Sequence, residues 1–373
     1  MTEKKIHIIS FDVPYPADYG GVIDVYYKIE ALHQLGYQIH LHCFQYGRVE
    51  SDKLNEICEK VSYYPRKKRL LDFLNTRPFI VQTRKSKALF QNLLKDNAPI
   101  LMEGLHCTSL LEKNVFHNRI TLVRTHNIEQ DYYNGLAKKK NFINKLFFKI
   151  EAFKLSKYES ILKKATAILC VQENDLTHFK SINSNSFSLP ICTSNKTKIQ
   201  KEKTDPYLLY QGNLSVVENI SALKWIIENV WEKLELKSKL IVGGKDPSSE
   251  LKNYLKKKNI KLIENPSEKE MDNLIQKARI HLLYSNQASG AKLKVLNALN
   301  SNGHLIVNQT IIAGTDLEKF CLVCETFDQF KNAIITKIEY ELSEEEFQKR
   351  QFYIEQKMNV IENCKVIINI LRR

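Results

Sequence analysis

Residues 5–44, "KIHIISFDVPYPADYGGVIDVYYKIEALHQLGYQIHLHCF", decide the fold class. The run KIHIISFDV is apolar over the length of a strand. VIDVYYKIEALHQLG then repeats apolar residues at helical spacing until Gly36 stops it, and YQIHLHCF is a second strand. Strand, loop, helix, strand is a βαβ unit, which predicts an α/β fold around a parallel sheet.

Working outward, three more strand-sized runs, PILMEGL, RITLVRTHN and ATAILCVQEND, end in polar residues. In an open parallel sheet the carboxyl ends of the strands line the ligand crevice, so function is expected there. Residues 186–206, SFSLPICTSNKTKIQKEKTDP, read as polar and weakly structured. Beyond them the pattern restarts. YLLYQGN, SKLIVGGKDP, NIKLIENPS, ARIHLLYSN and GHLIVNQT are strands, separated by helical stretches such as NISALKWIIENVWEKL and SSELKNYLKKK. A single core stops growing at about 250–300 residues, so 373 residues predict two domains. The boundaries read as a Rossmann-like domain over 1–195, a second over 206–340, and C-terminal amphipathic helices over 341–373 available to pack back on the first domain.

A hydrophobic share of 43% with 26% charged residues excludes a disordered or collagenous chain. The net charge of +14 is uneven: residues 1–200 carry 30 Lys+Arg against 19 Asp+Glu, leaving 26 against 23 for the rest. The basic surface therefore belongs to the first half, where it can meet nucleic acid, anionic lipid or a phosphorylated acceptor. The opening MTEKKIHIISFDVPYP breaks at Asp12, too short for a secretory signal, and no run approaches the roughly 18 apolar residues of a spanning helix. The reading is a cytoplasmic protein, peripheral at the inner membrane face. Eight widely spaced cysteines read as reduced and mostly buried, and Cys321 with Cys324 lacks the second pair of a zinc site.

Several strand ends carry candidate chemistry. Gly20 and Gly21 stand before a helix, where bare amides suit an anion; a tight strand-to-helix turn explains them too. His126, with Arg124, Asn127 and Glu129, closes another strand and can take a proton near neutral pH, or can be a histidine pinned by a carboxylate. In the second half Gly212 with Asn213, and Gly243 with Gly244, would let a nucleotide lie against main chain. In SGAKLKVLNALNSNG (289–303) the helical wheel from Gly290 puts Ala291, Lys294, Asn297, Ala298 and Ser301 on one side, with Leu293, Val295, Leu296 and Leu299 on the other. That slim cationic face suits phosphate through Lys292 or Lys294 and a sugar hydroxyl through Asn297; a solvated lysine face is the plainer alternative. Finally, residues 141–165 set Ile143, Phe147, Ile150 and Phe153 in a stripe among Lys145, Lys149, Lys154 and Lys157, preceded by Lys138 to Lys140. Such a helix lies on an anionic bilayer or packs on its own domain.

In their order along nearly the whole chain, the glycine loop at 18–21, RTHNIE, ATAILCVQEND, YQGNLSVVENISAL, IVGGKDPS and SGAKLKVLNAL resemble the GT-B glycosyltransferases, specifically the family 4 nucleotide-sugar enzymes that build bacterial surface glycans. The resemblance implies two Rossmann-like domains facing a central cleft. A UDP- or GDP-sugar donor would be held by the second domain and a glycan or lipid-linked acceptor by the first. It further implies transfer with retention and without metal or other cofactor, the leaving phosphate helping to remove the acceptor proton. Gly20 and Gly21 would face donor phosphates and acceptor, and His126 and Asp18 would orient acceptor or sugar; in an inverting enzyme either would be the base. The helix with Ser289, Gly290, Lys292, Lys294 and Asn297 matches the one that grips diphosphate and ribose.

Two departures stand out. Ser289 and Asn297 occupy the places of a pair of glutamates eight positions apart, and Asn213 follows Gly212 with no base before Lys224. The expectation is that Lys292 and Lys294 supply the diphosphate charge and Asn297 replaces the ribose-binding carboxylate. The alternatives are a non-hydrolysing nucleotide-sugar epimerase on the same fold and a basic nucleic-acid-binding protein. Neither a glycine-aromatic RNA-binding signature nor a zinc-finger spacing is present, so no nucleic-acid partner is expected.

Overall fold

The computed structural model describes residues 4–138, 142–194, 199–286 and 293–372. They form two compact units, the first over residues 4–194 and 357–372, the second over 199–286 and 293–356.

In the first unit the strands are β1 (Lys5–Ser10), β2 (Gln38–Gln45), β3 (Lys60–Pro65), β4 (Ile100–Glu103), β5 (Thr121–Thr125), β6 (Ala167–Cys170) and β7 (Ser186–Ser188). Its helices are α1 (Gly20–Gln34), α2 (Phe79–Gln82), α3 (Lys87–Leu93), α4 (Glu129–Ala137), α5 (Phe142–Tyr158) and α6 (Leu176–Ile182), joined by the last helix of the chain. All strands are parallel, in the order β3-β2-β1-β4-β5-β6-β7. The chain steps outward from β1 to β3 and returns to β4 on the other side of β1. Order therefore reverses between β1 and β4, and the crevice of such a sheet opens at that reversal.

Alternation along the strands splits the core in two. Ile6, Ile8, Ile39, Leu41, Leu101 and Leu122 face α1, whereas Ile9, Phe44, Met102, Val123 and Ile168 face α3 and α6. Helix α1 buries Val22, Val25, Ile29 and Leu32. It ends because Gly36 takes φ +82°, which lets its amide bond His33 O and that of Tyr37 bond Leu32 O. That double closure is the glycine stop read in the sequence.

The second unit contains β8 (Asp205–Asn213), α7 (Val217–Asn229), β9 (Lys239–Lys245), α8 (Ser249–Lys257), β10 (Lys261–Glu264), α9 (Glu268–Lys277), β11 (Ala278–Leu283), α10 (Leu293–Leu299), β12 (His304–Val307), α11 (Gln309–Ile312), β13 (Leu322–Val323), α12 (Phe327–Ile338) and α13 (Glu344–Lys357). Its sheet is also all parallel, in the order β10-β9-β8-β11-β12-β13, with the reversal between β8 and β11.

Three features depart from the sequence reading. The polar stretch 186–206 contributes β7, an edge strand of three residues paired to β6, because a short edge strand needs one neighbour and little apolar surface. β3 was not foreseen; KVSYYP runs polar and aromatic and ends in proline, which a sheet edge tolerates. The C-terminal tail divides: α13 is part of the second unit, while α14 (Val360–Leu371) buries Val360, Cys364 and Ile367 in the core of the first. Seven of the eight cysteines are buried and all are free thiols; β13 lies between Cys321 and Cys324.

Candidate active site

Beneath the switch point of the first unit lies a network of five ionisable side chains. Asp24 and Lys28, one turn apart on the core face of α1, pair at 2.9 Å. Lys28 Nζ also donates to Glu103 Oε1 (2.8 Å) and Oε2 (3.0 Å) at the end of β4. Arg124, on β5, grips Asp24 with Nε at 2.9 Å and Nη2 at 2.8 Å, and the amide of Cys192 donates to Asp24 Oδ1 at 2.8 Å. All four charged groups are fully buried. Although burial disfavours the charged form of both groups, Arg124 and Lys28 hold the Asp24 carboxyl well below the usual carboxylate range, and Asp24 and Glu103 raise Lys28. Two cations against two anions make the network self-neutralising, the condition for keeping charges out of water.

His126 joins from the end of β5: its Nε2 donates to Asp24 Oδ2 at 3.2 Å. The carboxylate accepts, so the proton resides on Nε2 and leaves Nδ1 as an acceptor; Nδ1 has no partner among the described residues. The pinned histidine and the chemically competent one thus coexist. Lys28 and Arg124 already neutralise Asp24, and its carboxylate fixes the orientation of the ring. Asp18 is engaged otherwise: its Oδ1 pairs with Arg48 at 2.7 Å and Arg48 also donates to Pro16 O, which pins the loop before α1.

Gly20 is the first residue of α1, whose N-cap Tyr19 makes no side-chain cap and whose first turn has no acid. A Cβ on Gly21 would lie 2.7 Å from Phe11 Cζ, so close packing on the ring explains this glycine. Phe11 also lies 5.5 Å from His106 and 5.7 Å from His126, centroid to centroid, placing the ends of β1, β4 and β5 around one aromatic ring. Gln82 Oε1, His106 Nδ1 and Asn127 Oδ1 are buried without a partner among the described residues. Orphaned polar atoms of this kind are unusual in a finished core and mark where a polar ligand would supply the bonds.

In the second unit the reversal between β8 and β11 places Gly212 and Asn213 beside α10. Lys294 Nζ donates to Asn219 Oδ1 at 2.6 Å and sits 5.2 Å from the ring centroid of Tyr210. A Cβ on Gly212 would stand 3.1 Å from both Lys294 Cε and Nζ, so the missing side chain is what admits the lysine. No ion pair holds Lys294 among the described residues, and burial pushes its pKa down to about 8. Asn219 also donates through Nδ2 to Asn213 O at 2.8 Å, and Asn213 Oδ1 accepts from Ser215 N and Oγ. Asn213 thus shapes the turn, and Asn219, which the sequence reading passed over, positions the lysine. The available signal was a second asparagine six residues after Asn213 at the start of α7.

The other expected residues divide. Packing accounts for Gly243 and Gly244: a Cβ on Gly243 would lie 3.3 Å from Met271 Cε, and one on Gly244 would lie 2.0 Å from Gly212 O. Ala298 and Ser301, expected on the open face with Lys294, are fully buried, Ser301 Oγ bonding His281 Nε2 at 2.8 Å and Ala298 O at 2.6 Å. Asn297 is half-buried on α10. Lys224 pairs with Glu250. Ser289, Gly290 and Lys292 lie outside the described residues.

Two groups of described residues have metal-ligand spacing: Asp24, Glu103 and His126, and His7, His40 and Asp96. Lys28 and Arg124 already occupy the first. In the second, Asp96 pairs with Lys5 and Arg119, and His7 Nδ1 shares a 2.9 Å hydrogen bond with His42.

Two all-parallel Rossmann-like sheets in one chain, each with its polar groups gathered at the strand reversal, define the GT-B class of folds. Solved structures of that class align over nearly the full length of the chain. HepE of Anabaena in complex with UDP and glucose matches with a TM-score of 0.65 at 11% identity, over 99% of both chains. S. aureus TarM, as a mutant in complex with Fondaparinux, alpha-GlcNAc-glycerol and UDP, matches with a TM-score of 0.64 at 10% identity, over 99% of this chain and 100% of that one. At such identities the likeness is one of fold. In sequence, the chain is 26% identical over 329 residues to an uncharacterized 44.6 kDa protein in the cps region of Klebsiella pneumoniae, covering 82% of this chain and 83% of the relative. No family model matches.

Proposed function

We propose that the protein is a family 4-type glycosyltransferase that moves a sugar from a nucleotide-sugar donor, held by the second unit, to a hydroxyl of a glycan or lipid-linked acceptor held by the first. The observation that carries this reading is Lys294, a cation with no ion-pair partner among the described residues, laid across Gly212 at the strand reversal of the second sheet. A diphosphate supplies the missing anion. The neighbours in complex with UDP support the same assignment.

In the reaction the bond from the anomeric carbon to the donor phosphate oxygen breaks and one to the acceptor oxygen forms. Negative charge grows on the departing diphosphate, and a fixed cation aimed at it lowers the barrier. In the retaining, metal-independent course proposed here the leaving phosphate takes the acceptor proton. His126, held by Asp24, then presents Nδ1 to a sugar hydroxyl as a positioning acceptor. Lys292 and Asn297 are proposed as the further diphosphate and ribose contacts, and the product as a polysaccharide or other surface glycan.

The place of work is proposed to be the cytoplasmic face of an anionic membrane. No helix of the described residues is long and apolar enough to cross one. However, Leu146, Ile150 and Phe153 of α5 and Phe73 and Leu74 nearby are exposed, with Phe73 packed 5.3 Å from Phe147 and its carbonyl bound by Lys154. The sequence stripe is thereby split: Phe147 stays with Phe73 and Phe79, while Ile150 and Phe153 turn outward among the lysines. Apolar tips ringed by cations suit a bilayer of anionic lipid.

Thermal stabilisation by a panel of UDP- and GDP-sugars tests the donor assignment: a ligand at 100 times its Kd adds about 2.7 kcal/mol. No stabilisation by any of them removes it. Incubation with donor alone separates the rival chemistry, because an epimerase yields a new nucleotide sugar and a transferase does not.

A further inference from the structure

Off the ends of β2 and β3, the ring of Tyr46 collects three cations. Arg66 Cζ and Lys68 Nζ each lie 4.3 Å from its centroid, and Arg84 Cζ lies 6.0 Å away. Arg84 is only 4% exposed, and its polar contacts are two carbonyls, Phe11 O at 3.0 Å and Ile80 O at 2.9 Å. Arg66 Nε donates to Thr83 Oγ1 at 2.9 Å. None of the three has a carboxylate partner among the described residues.

The nearby acids do not compensate. Asp12 already accepts from Val13 N, Tyr46 N and Tyr19 OH. Burial, aided by Glu159, pushes Glu129 up to about 7, so it is substantially protonated near neutrality. The guanidiniums also oppose one another: burial first, then Arg66, lowers Arg84 to about 10. The orphaned Nδ1 of His106 faces the same charges. A buried guanidinium without a counter-ion is costly, and folds retain one where an anion from outside completes it.

We propose that Arg66, Lys68 and Arg84 form a subsite for a phosphoryl group carried by the acceptor. The proposal rests on the reading of the first unit as the acceptor unit. Phosphoryl oxygens match it better than a carboxylate because three cations face the ligand, a phosphomonoester carries about −1.5 to −2 charges near pH 7, and a guanidinium fork binds two of its oxygens at once.

The test titrates inorganic pyrophosphate by calorimetry into full-length protein carrying Lys292→Met and Lys294→Met, which lacks both lysines proposed to hold the donor diphosphate, with and without Arg66→Gln. Arg66 is the chosen position because it is half-exposed, whereas Arg84 also ties down two carbonyls and its loss can unfold the unit. Saturable binding weakened at least tenfold by Arg66→Gln, and at least tenfold stronger than that of glucuronate, is the expected result. Unchanged affinity in Arg66→Gln, absence of saturable binding, or glucuronate binding as tightly as pyrophosphate overturns it. Farnesyl diphosphate binding at least tenfold tighter than pyrophosphate points to a lipid-linked acceptor; equal binding, to a soluble phosphorylated sugar. UDP titrated into the wild type separates the two claims, since its failure to bind defeats the donor assignment and leaves the phosphoryl subsite standing.

Discussion

The two strand reversals use opposite electrostatics. The first unit buries Asp24, Lys28, Glu103 and Arg124 with His126 above them, and the charges cancel. The second sets one lysine against Asn219 and a tyrosine ring, and nothing among the described residues cancels it. A balanced network is a scaffold, because it holds a histidine in place and needs no ligand. An unbalanced cation is a receptor, because its desolvation cost is relieved only when an anion arrives. The cluster around Tyr46 belongs to the second kind, although it lies in the first unit.

The largest effect should come from breaking the balance. Asp24→Asn leaves two buried cations facing Glu103 alone, and should cost the first unit about 3–5 kcal/mol in denaturant unfolding. A cost below about 1 kcal/mol would mean that the network is not sealed from water. Next comes the unbalanced lysine. Lys294→Met removes one charge-assisted bond, worth about 1.5–3 kcal/mol, and should weaken UDP-sugar binding by roughly ten- to a hundredfold.

Its pH dependence has a definite sign. The folded pKa of about 8 lies below the ordinary lysine value of 10.5, so folding disfavours the charged form. Stability of the unliganded second unit should therefore rise as pH climbs from about 8 toward 10.5, while donor affinity falls over the same window because the cation is lost. Both trends should vanish in Lys294→Met when melting and UDP titrations are repeated at several pH values.

Gly244→Ala probes packing at the same place. Its Cβ would meet Gly212 O at 2.0 Å, so β8 or β9 must shift, at about 1–3 kcal/mol, and donor binding should weaken along with stability. Stability lost at full donor affinity would show that the lysine tolerates movement of Gly212. The smallest effect is expected on the outer face: Phe153→Glu should reduce co-sedimentation with phosphatidylglycerol vesicles severalfold and leave UDP binding unchanged. Equal binding to neutral phosphatidylcholine vesicles would argue against the cationic patch.

Much of this was readable from order and periodicity. The βαβ opening, the two parallel sheets, the glycine stop at Gly36 and the placement of His126, Gly212 and Lys294 at strand ends or beside them follow from local patterns, because a strand covered on both faces must be apolar throughout and a helix must repeat its apolar face. The Asp24–Lys28 pair was also visible as charges one turn apart on the core face of α1, a signal that went unused. Short edge strands such as β3 and β7 were not visible, since their stability comes from a single neighbour and not from their composition.

The amino-acid sequence by itself determined which segments become strands and helices and where the polar strand ends fall, because backbone geometry and side-chain burial act over a few neighbouring residues. Only the tertiary structure decided which glycines pack against neighbours and which admits a lysine, and which charges cancel. Asp24 meets Arg124 across 100 positions and Lys294 meets Asn219 across 75, and an electrostatic balance depends on distance in space, which no local pattern encodes.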